Sequence, residues 1–245
     1  MEKLNYLRQD KKIPGKESFV TYVDFQVKDG TADMWLYDIF PGVQLMVVDF
    51  SSESCFRSGE KQNVIGINHW KGRFECAFDS RNYLYLGEGD ITLNSQMHPP
   101  IASSFPLNYF YGSTIILFPE VMKDVPELQA FQISAEAITE KYSLESRGHE
   151  LQAFQISAEK IVEKYSLNTE CHVYRRNAEI EHVYQELYTH LDRPSLPFLR
   201  LKILELLYHF QFRQTLFEEN QHYISGVTVK RIKHVREHLV QDMEH

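Results

Sequence analysis

Apolar and polar residues alternate along the first half of the chain and recur at helical spacing along the second. Phe19–Val27 (FVTYVDFQV) alternates, with β-branched and aromatic side chains at the apolar positions, the signature of a half-buried strand. Val43–Phe50 repeats the pattern after Asp38–Gly42 (DIFPG), whose Pro and Gly read as a turn. Val64–Trp70 and Arg73–Phe78 flank Lys71-Gly72, a spacing that predicts a β-hairpin. Tyr83–Leu86 and Ile91–Asn94 flank Gly87-Glu88-Gly89-Asp90 and predict a second one. Tyr109–Phe118 is the last strand of the series. Six or more short strands joined by turns predict a small antiparallel sandwich or barrel.

From Pro126 onward the period changes to that of helices, and it does so through a repeat. Glu127–His149 (ELQAFQISAEAITEKYSLESRGH) is followed directly by Glu150–His172 (ELQAFQISAEKIVEKYSLNTECH), two 23-residue blocks that share the run ELQAFQISAE. Leu128, Phe131, Ala135, Ile138 and Tyr142 make one helical face, and Leu151, Phe154, Ala158, Ile161 and Tyr165 repeat it. Ser134 and Ser157 could each cap a helix at mid-block. Two copies are too few for a solenoid, which needs about three repeats to bury a continuous core. Two readings stay open: a passive duplication with one copy docked, or two near-identical helices competing for one groove.

Two longer helices follow. Asn177 is the expected N-cap of Ala178–His190, with the stripe Ile180, Tyr184, Leu187 and Leu191. After Pro194 and Pro197, a helix from Phe198 to about Gln214 carries Leu199, Ile203, Leu206 and Phe210, widened by Leu207. These stripes serve either as intramolecular core or as an interface between chains. The final helix, Thr228 to about Glu244, places Val229, Ile232, Val235 and Leu239 on one face and carries Lys230, Arg231, Lys233 and Arg236 on the rest.

Composition narrows the function. The chain has 245 residues and a formal charge of −8, so any anionic partner must be met locally rather than by a basic surface. Residues 1–18 are polar, without the apolar region of a secretory leader, and no apolar run approaches the roughly 20 residues that span a bilayer. The three cysteines, Cys55, Cys76 and Cys171, suit a reducing compartment. A cytoplasmic protein without a membrane partner is the expectation.

Candidate chemistry is sparse. A metal held on barrel strands needs closely spaced histidines, yet the β half has only His69 and His98, with no HxH pair. Arg73 and Glu75 share a strand face, a spacing that suits a neutral pair. There is no G-x-S-x-G elbow and no phosphate loop, because Gly87-Glu88-Gly89-Asp90 lacks the following helix and Lys/Ser. No catalytic residue, metal or cofactor is therefore expected. A binding pocket in the barrel mouth is better supplied: Trp35, Tyr37, His69, Trp70, Arg73, Tyr83 and Tyr85 offer aromatic faces and hydrogen-bonding groups.

Tyr37–Gly42 (YDIFPG), Asn68–Glu75 (NHWKGRFE), Tyr83–Asp90 (YLYLGEGD) and Phe105–Gly112 (FPLNYFYG), in that order, resemble the N-terminal region of AraC-type transcription regulators. The resemblance continues through the helix pair to Val229–Gln241, which is similar to the linker and first helix of that family's DNA-binding domain. It covers nearly the whole chain except the extra block. It implies an α+β fold: a cupin-like antiparallel β-barrel sensor (1–122), a helical dimerisation module (123–220) containing the blocks 127–149 and 150–172, and a linker with the first helix of a truncated helix-turn-helix domain (221–245). It implies a small-molecule effector and a homodimer. Ile180, Tyr184, Leu187, Leu199, Ile203, Leu206 and Phe210 would carry the dimer contact, and DNA would be read only through a domain absent here. A stand-alone cupin-like carrier or enzyme is the alternative.

Overall fold

The computed structural model describes residues 9–10, 18–27, 30–52, 63–77, 82–95, 102–105, 107–122, 128, 156–165, 171–212 and 224–243. Most of the first repeat copy, residues 150–155 and 166–170 of the second, Cys55, His98 and residues 221–223 lie outside the described residues.

Strand β1 (Gln9–Asp10) is followed by β2 (Val20–Val27), β3 (Gly30–Phe40), β4 (Val43–Ser51), β5 (Ile65–Trp70), β6 (Phe74–Ala77), β7 (Asn82–Leu86), β8 (Ile91–Ser95), β9 (Ala102–Ser104) and β10 (Phe110–Leu117). The expected strands at Phe19–Val27, Val43–Phe50 and Tyr109–Phe118 are present to within a residue or two. Strand β3 is not among the expected strands, and its last residues, Asp38–Phe40, fall in the segment read as a turn, which is confined to Pro41-Gly42. It forms a tight hairpin with β4 through Pro41-Gly42, where Gly42 has φ of 75°. Pro followed by a residue of positive φ is the chemistry of a type II turn, and a Cβ on Gly42 would lie 2.9 Å from the Met122 side chain.

Both hairpins expected around Lys71-Gly72 and Gly87–Asp90 are corrected. β5 pairs with β10 and β8 in a large sheet, whereas β6 pairs with β7 and β9 in a small one. Each turn is thus a corner at which the chain changes sheet. Trp70 N donates to Asp90 O at 3.0 Å, and Gly89 N donates to Trp70 O at 2.7 Å, so the two corners brace each other. Turn residues specify a reversal of direction, not the partner strand, and sheet-switching corners carry the same sequence signal as hairpins.

The large sheet runs β1-β2-β3-β4-β10-β5-β8 and gains an edge strand, β11 (His172–Tyr174), from the second half of the chain. The small sheet runs β7-β6-β9 and gains β12 (Ile224–Ser225) beside β7. Between the sheets lie Val23, Met34, Val48, Phe50 and Phe110 from one and Phe74, Cys76, Leu84 and Leu86 from the other, with Phe105. The expected α+β class is therefore the observed one. Among the described residues no strand ladder joins the two sheets, so the barrel is an open, antiparallel double sheet.

Five helices complete the description: α1 (Pro119–Met122), α2 (Ala158–Lys164), α3 (Ala178–Thr189), α4 (Leu196–Phe212) and α5 (Gly226–Met243). Asn177 caps α3 as expected, its side chain accepting from Glu179 N at 3.0 Å and Ile180 N at 3.4 Å. Ser157 caps α2. Helices α2, α3 and α4 cover the outer face of the large sheet, where Tyr37, Leu45, Ile67, Leu93 and Ile115 meet Ile161, Tyr184, Leu187, Ile203 and Phe210 in one core. The large sheet is consequently buried on both faces. Among the described residues no helix is long and apolar enough to cross a membrane.

Candidate functional site

Strands fix their side chains by parity, so cross-strand neighbours share a face. On the inner face of the large sheet, Asn68 lies between Thr92 of β8 and Thr114 of β10, and Gly66 lies between Asn94 and Ile116. The next positions along, Leu36 and Met46, complete the same inner row. At one end the space between the sheets is filled by Phe50, Phe74, Phe105 and Phe110. Towards the other it is lined by amides and hydroxyls, with Asn68, Asn94 and Thr114 half-buried and Thr92 buried.

Those polar groups form one network. Thr114 Oγ1 donates to Asn68 Oδ1 at 2.8 Å. Asn68 Nδ2 donates to Thr92 Oγ1 at 2.9 Å and to Asn94 Oδ1 at 2.8 Å. Trp70 Nε1 also donates to Thr92 Oγ1, at 3.1 Å, with its ring stacked on Phe74 at 4.4 Å. Among the described residues Asn94 Nδ2 has no hydrogen-bond partner, so it is a spare donor beside the side-chain-free Gly66. The cluster contains no charge. Uncharged donors and acceptors on an apolar floor, next to an indole, suit a small neutral molecule with hydroxyl or amide groups. At the rim, Gln44 Nε2 donates to Asp38 Oδ1 at 2.7 Å. Both residues also line an outer cleft of about 470 Å³ with Phe40, Gly42, Phe118 and Arg200.

The seven residues expected to form the pocket do not converge. Only Trp70 faces the space between the sheets. Trp35, Tyr37 and His69 point the other way, toward the helices, because odd positions of β3 and β5 face outward. Burial of Tyr37, then the nearby Tyr111 and Asp192, pushes its hydroxyl pKa up to about 12. Tyr83 and Tyr85 stand on the outer face of the small sheet, and Arg73 is exposed at the corner before β6. Glu75 takes Lys233 as its partner at 2.7 Å, along with Tyr85 and Ser104, in place of the expected Arg73. The residues missed were Asn68, Thr92, Asn94 and Thr114. Their signal was present: Asn68/Trp70 and Thr92/Asn94 are polar or amphipathic residues two apart in otherwise apolar strands.

His69 is a joint between sheet and helix. It is 1% exposed, stacked on Tyr184 with ring centroids 4.0 Å apart. Its Nε2 lies 3.1 Å from Glu181 Oε2 and its Nδ1 3.1 Å from Tyr188 Oη, which in turn meets Ser113 Oγ at 2.9 Å. With Nε2–H donating to Glu181, Nδ1 accepts from Tyr188. The His69 hydrogen bond holds the Glu181 carboxyl below the usual glutamate range against the opposing effect of burial.

The residues expected at a dimer contact are also placed. Ile180, Tyr184, Leu187, Leu199, Ile203, Leu206 and Phe210 are all 0% exposed within this single chain. They cover the outer face of the large sheet, which must be buried somewhere, and offer no surface to a second copy. Helix α4 carries a second apolar strip on its outward side, Leu201, 57% exposed, and Tyr208, 37% exposed, with Leu204 and Phe212 half-buried beside them and the Lys202–Glu205 ion pair next to it.

No family model matches the chain, and neither does any curated protein. Among solved structures it is similar to the AraC-like transcriptional activator CuxR, at 7% identity over 83% of this chain and 64% of that one, with a TM-score of 0.34. It is similar also to oxalate decarboxylase, at 12% identity over 54% of this chain and 39% of that one, with a TM-score of 0.27. A variant of the Bacillus subtilis oxalate decarboxylase gives 12% identity over 49% and 34%, with a TM-score of 0.26. Among the described residues no group of three or more His, Cys, Asp or Glu gathers as a metal site.

Proposed function

We propose that the chain is the effector-sensing and dimerisation portion of an AraC-type transcription regulator, binding a small neutral molecule between its sheets without turning it over. The observation that carries the reading is on strand β5. Asn68 faces the polar cluster, and its neighbour His69 faces α3 through Glu181, Tyr184 and Tyr188. Adjacent strand residues point to opposite faces, so a ligand that draws on Asn68 acts one residue from the sheet–helix joint. Such a ligand shifts the helices only if it binds their two arrangements with different affinity. The ordered motifs from Tyr37–Gly42 to Phe105–Gly112 support the same assignment. The homodimer contact falls to the outward side of α4, and sequence-specific DNA reading would require helix-turn-helix units beyond α5.

The test is a thermal-shift screen of the whole chain against neutral hydroxylated and amide-bearing metabolites, followed by titration calorimetry of any hit. Asn68→Ala and Asn94→Ala are expected to weaken binding at least tenfold with the circular dichroism unchanged, the loss of a bidentate polar contact. A hit that binds both variants as tightly as the parent chain overturns the site. A stand-alone carrier would bind the same molecule with no change at α3, which hydrogen exchange of residues 178–189 would show.

A further inference from the structure

The repeat supplies two eligible occupants for one groove, and we propose that the chain exchanges them. In the observed register the groove against α4 holds α2 from the second copy. In the other it holds the corresponding residues 135–141 of the first copy, shifted by 23 residues.

The groove contacts are specific. Ile156, Ala158, Ile161 and Tyr165 are buried in the helix-side core. Tyr165 Oη donates to Phe210 O at 2.7 Å, and Lys164 Nζ donates to the same oxygen at 2.7 Å and to Gln211 O at 3.3 Å. Ser157 N donates to Gln211 Oε1 at 2.8 Å, while Ser157 Oγ caps the helix at Lys160 N. Every one of these residues has an identical counterpart in the first copy: Ile133, Ser134, Ala135, Ile138, Lys141 and Tyr142. Across 156–165 the copies differ only at Lys160, which is exposed and replaces Ala137, and at Val162, half-buried in place of Thr139.

The ends of the segment fit both registers. Leu128, from the start of the first copy, is itself in the core, and its carbonyl accepts from Ile156 N at 3.3 Å. Ile133 stands five positions after Leu128, so in the shifted register the same bond closes over four residues, the span of the 6→1 bond found at helix ends. At the exit, Cys171 leads into β11 in either case. In the observed register residues 129–155 stand between Leu128 and Ile156 in sequence, and in the shifted one 143–170 stand between Tyr142 and Cys171. These two stretches of sequence agree in length to one residue, so neither register needs a longer chain than the other. What remains is chiefly Val162 against Thr139, a difference on the order of tenfold or less in population. Anything that captures one stretch selects a register.

Aspartate substitutions in the full chain and in a chain lacking 127–149 decide the matter by thermal unfolding. Ile161→Asp in the full chain is expected to lower the Tm by less than about 5 °C, because Ile138 takes the vacated place, and Ile138→Asp alone by less still. The double variant is expected to lose about 10 °C or more, since a buried unpaired carboxylate then has no alternative. Removal of 127–149 leaves the fold intact, with Leu151 in the place of Leu128, and in that shorter chain Ile161→Asp alone reproduces the double variant. If Ile161→Asp in the full chain is as damaging as the double variant, or if the double variant is harmless, the exchange is refuted.

Discussion

His69 shows how much one side chain can carry in a strand buried on both faces. It fills space against Tyr184, donates to Glu181 and receives Tyr188, so His69→Ala opens a cavity and takes the donor from Glu181 Oε2, with Gln185 left on Oε1. The two penalties together amount to about 3 kcal/mol, measurable as a fall in the urea midpoint at constant slope. The same variant separates sensing from transmission: effector affinity is expected to stay near that of the parent chain, because Asn68 and Asn94 face away from the lesion, while the effector-induced change at α3 disappears. A variant that binds no effector at all would place the site on the helix side of the sheet. The sequence advertised His69 as a pocket residue for its chemistry, and only parity along β5 shows that it faces the helices. Aromatic and charged residues drew attention to Trp35, Tyr37, Tyr83 and Tyr85, whereas the polar cluster consists of Asn and Thr, residues common in any strand or turn. Side-chain type was legible, and the face each residue occupies was not, because facing depends on which sheet a strand joins.

The elements themselves were more readable than their partners. Alternation located β2, β4 and β10, and helical spacing located α3 and α4, because each buries a regular stripe. The caps were legible for the same local reason: Asn177 supplies its side-chain oxygen within its own turn. Asn177→Ala is expected to cost about 1 kcal/mol, read as a small drop in Tm with no change in ligand affinity. What escaped were β3, whose Asp33 and Asp38 interrupt the apolar pattern, and the sheet changes at Lys71-Gly72 and Gly87–Asp90. The stripes of α3 and α4 were legible as apolar but not as intramolecular, since a helix shows the same periodicity whether it covers a sheet or a second chain. The leftover face of α4 is the better guide to association. Leu201→Glu with Tyr208→Glu is expected to convert a dimer to a folded monomer in light scattering at tens of micromolar, with the Tm nearly unchanged because neither residue belongs to the buried stripe. An unaltered dimer would move the contact off α4.

At the scale of the whole molecule, three layers share the large sheet, and α5 stands apart from all of them on the small sheet's outer side. Its expected apolar stripe is divided: Val229 is 2% exposed, while Ile232, Val235 and Leu239 are open to solvent. Among the described residues the attachment includes the short β12–β7 pairing, Val229, and Lys233 reaching Glu75 at 2.7 Å beside the ring of Tyr83. Burial raises the Glu75 carboxyl, but hydrogen bonds from Lys233, Tyr85 and Ser104 and the charge of Lys233 together pull it below its ordinary value of 4.5. A carboxyl depressed by folding contributes stability that is fully present above its ordinary value and is lost as pH falls through the lower, folded one. Docking of α5 is therefore intact at neutral pH and weakens below about pH 4.5. Because Lys233 is half-exposed, added salt weakens it too. Hydrogen exchange of residues 226–243, corrected for intrinsic rates, reads this directly. Glu75→Gln is expected to release α5 at pH 7 to the degree that acid releases it in the parent chain, while protection in β4, β5 and β10 is unchanged. Exchange in α5 that ignores both the substitution and the acid would mean that Val229 and the β12–β7 pairing hold the helix by themselves, leaving Lys233 a solvated contact of no consequence.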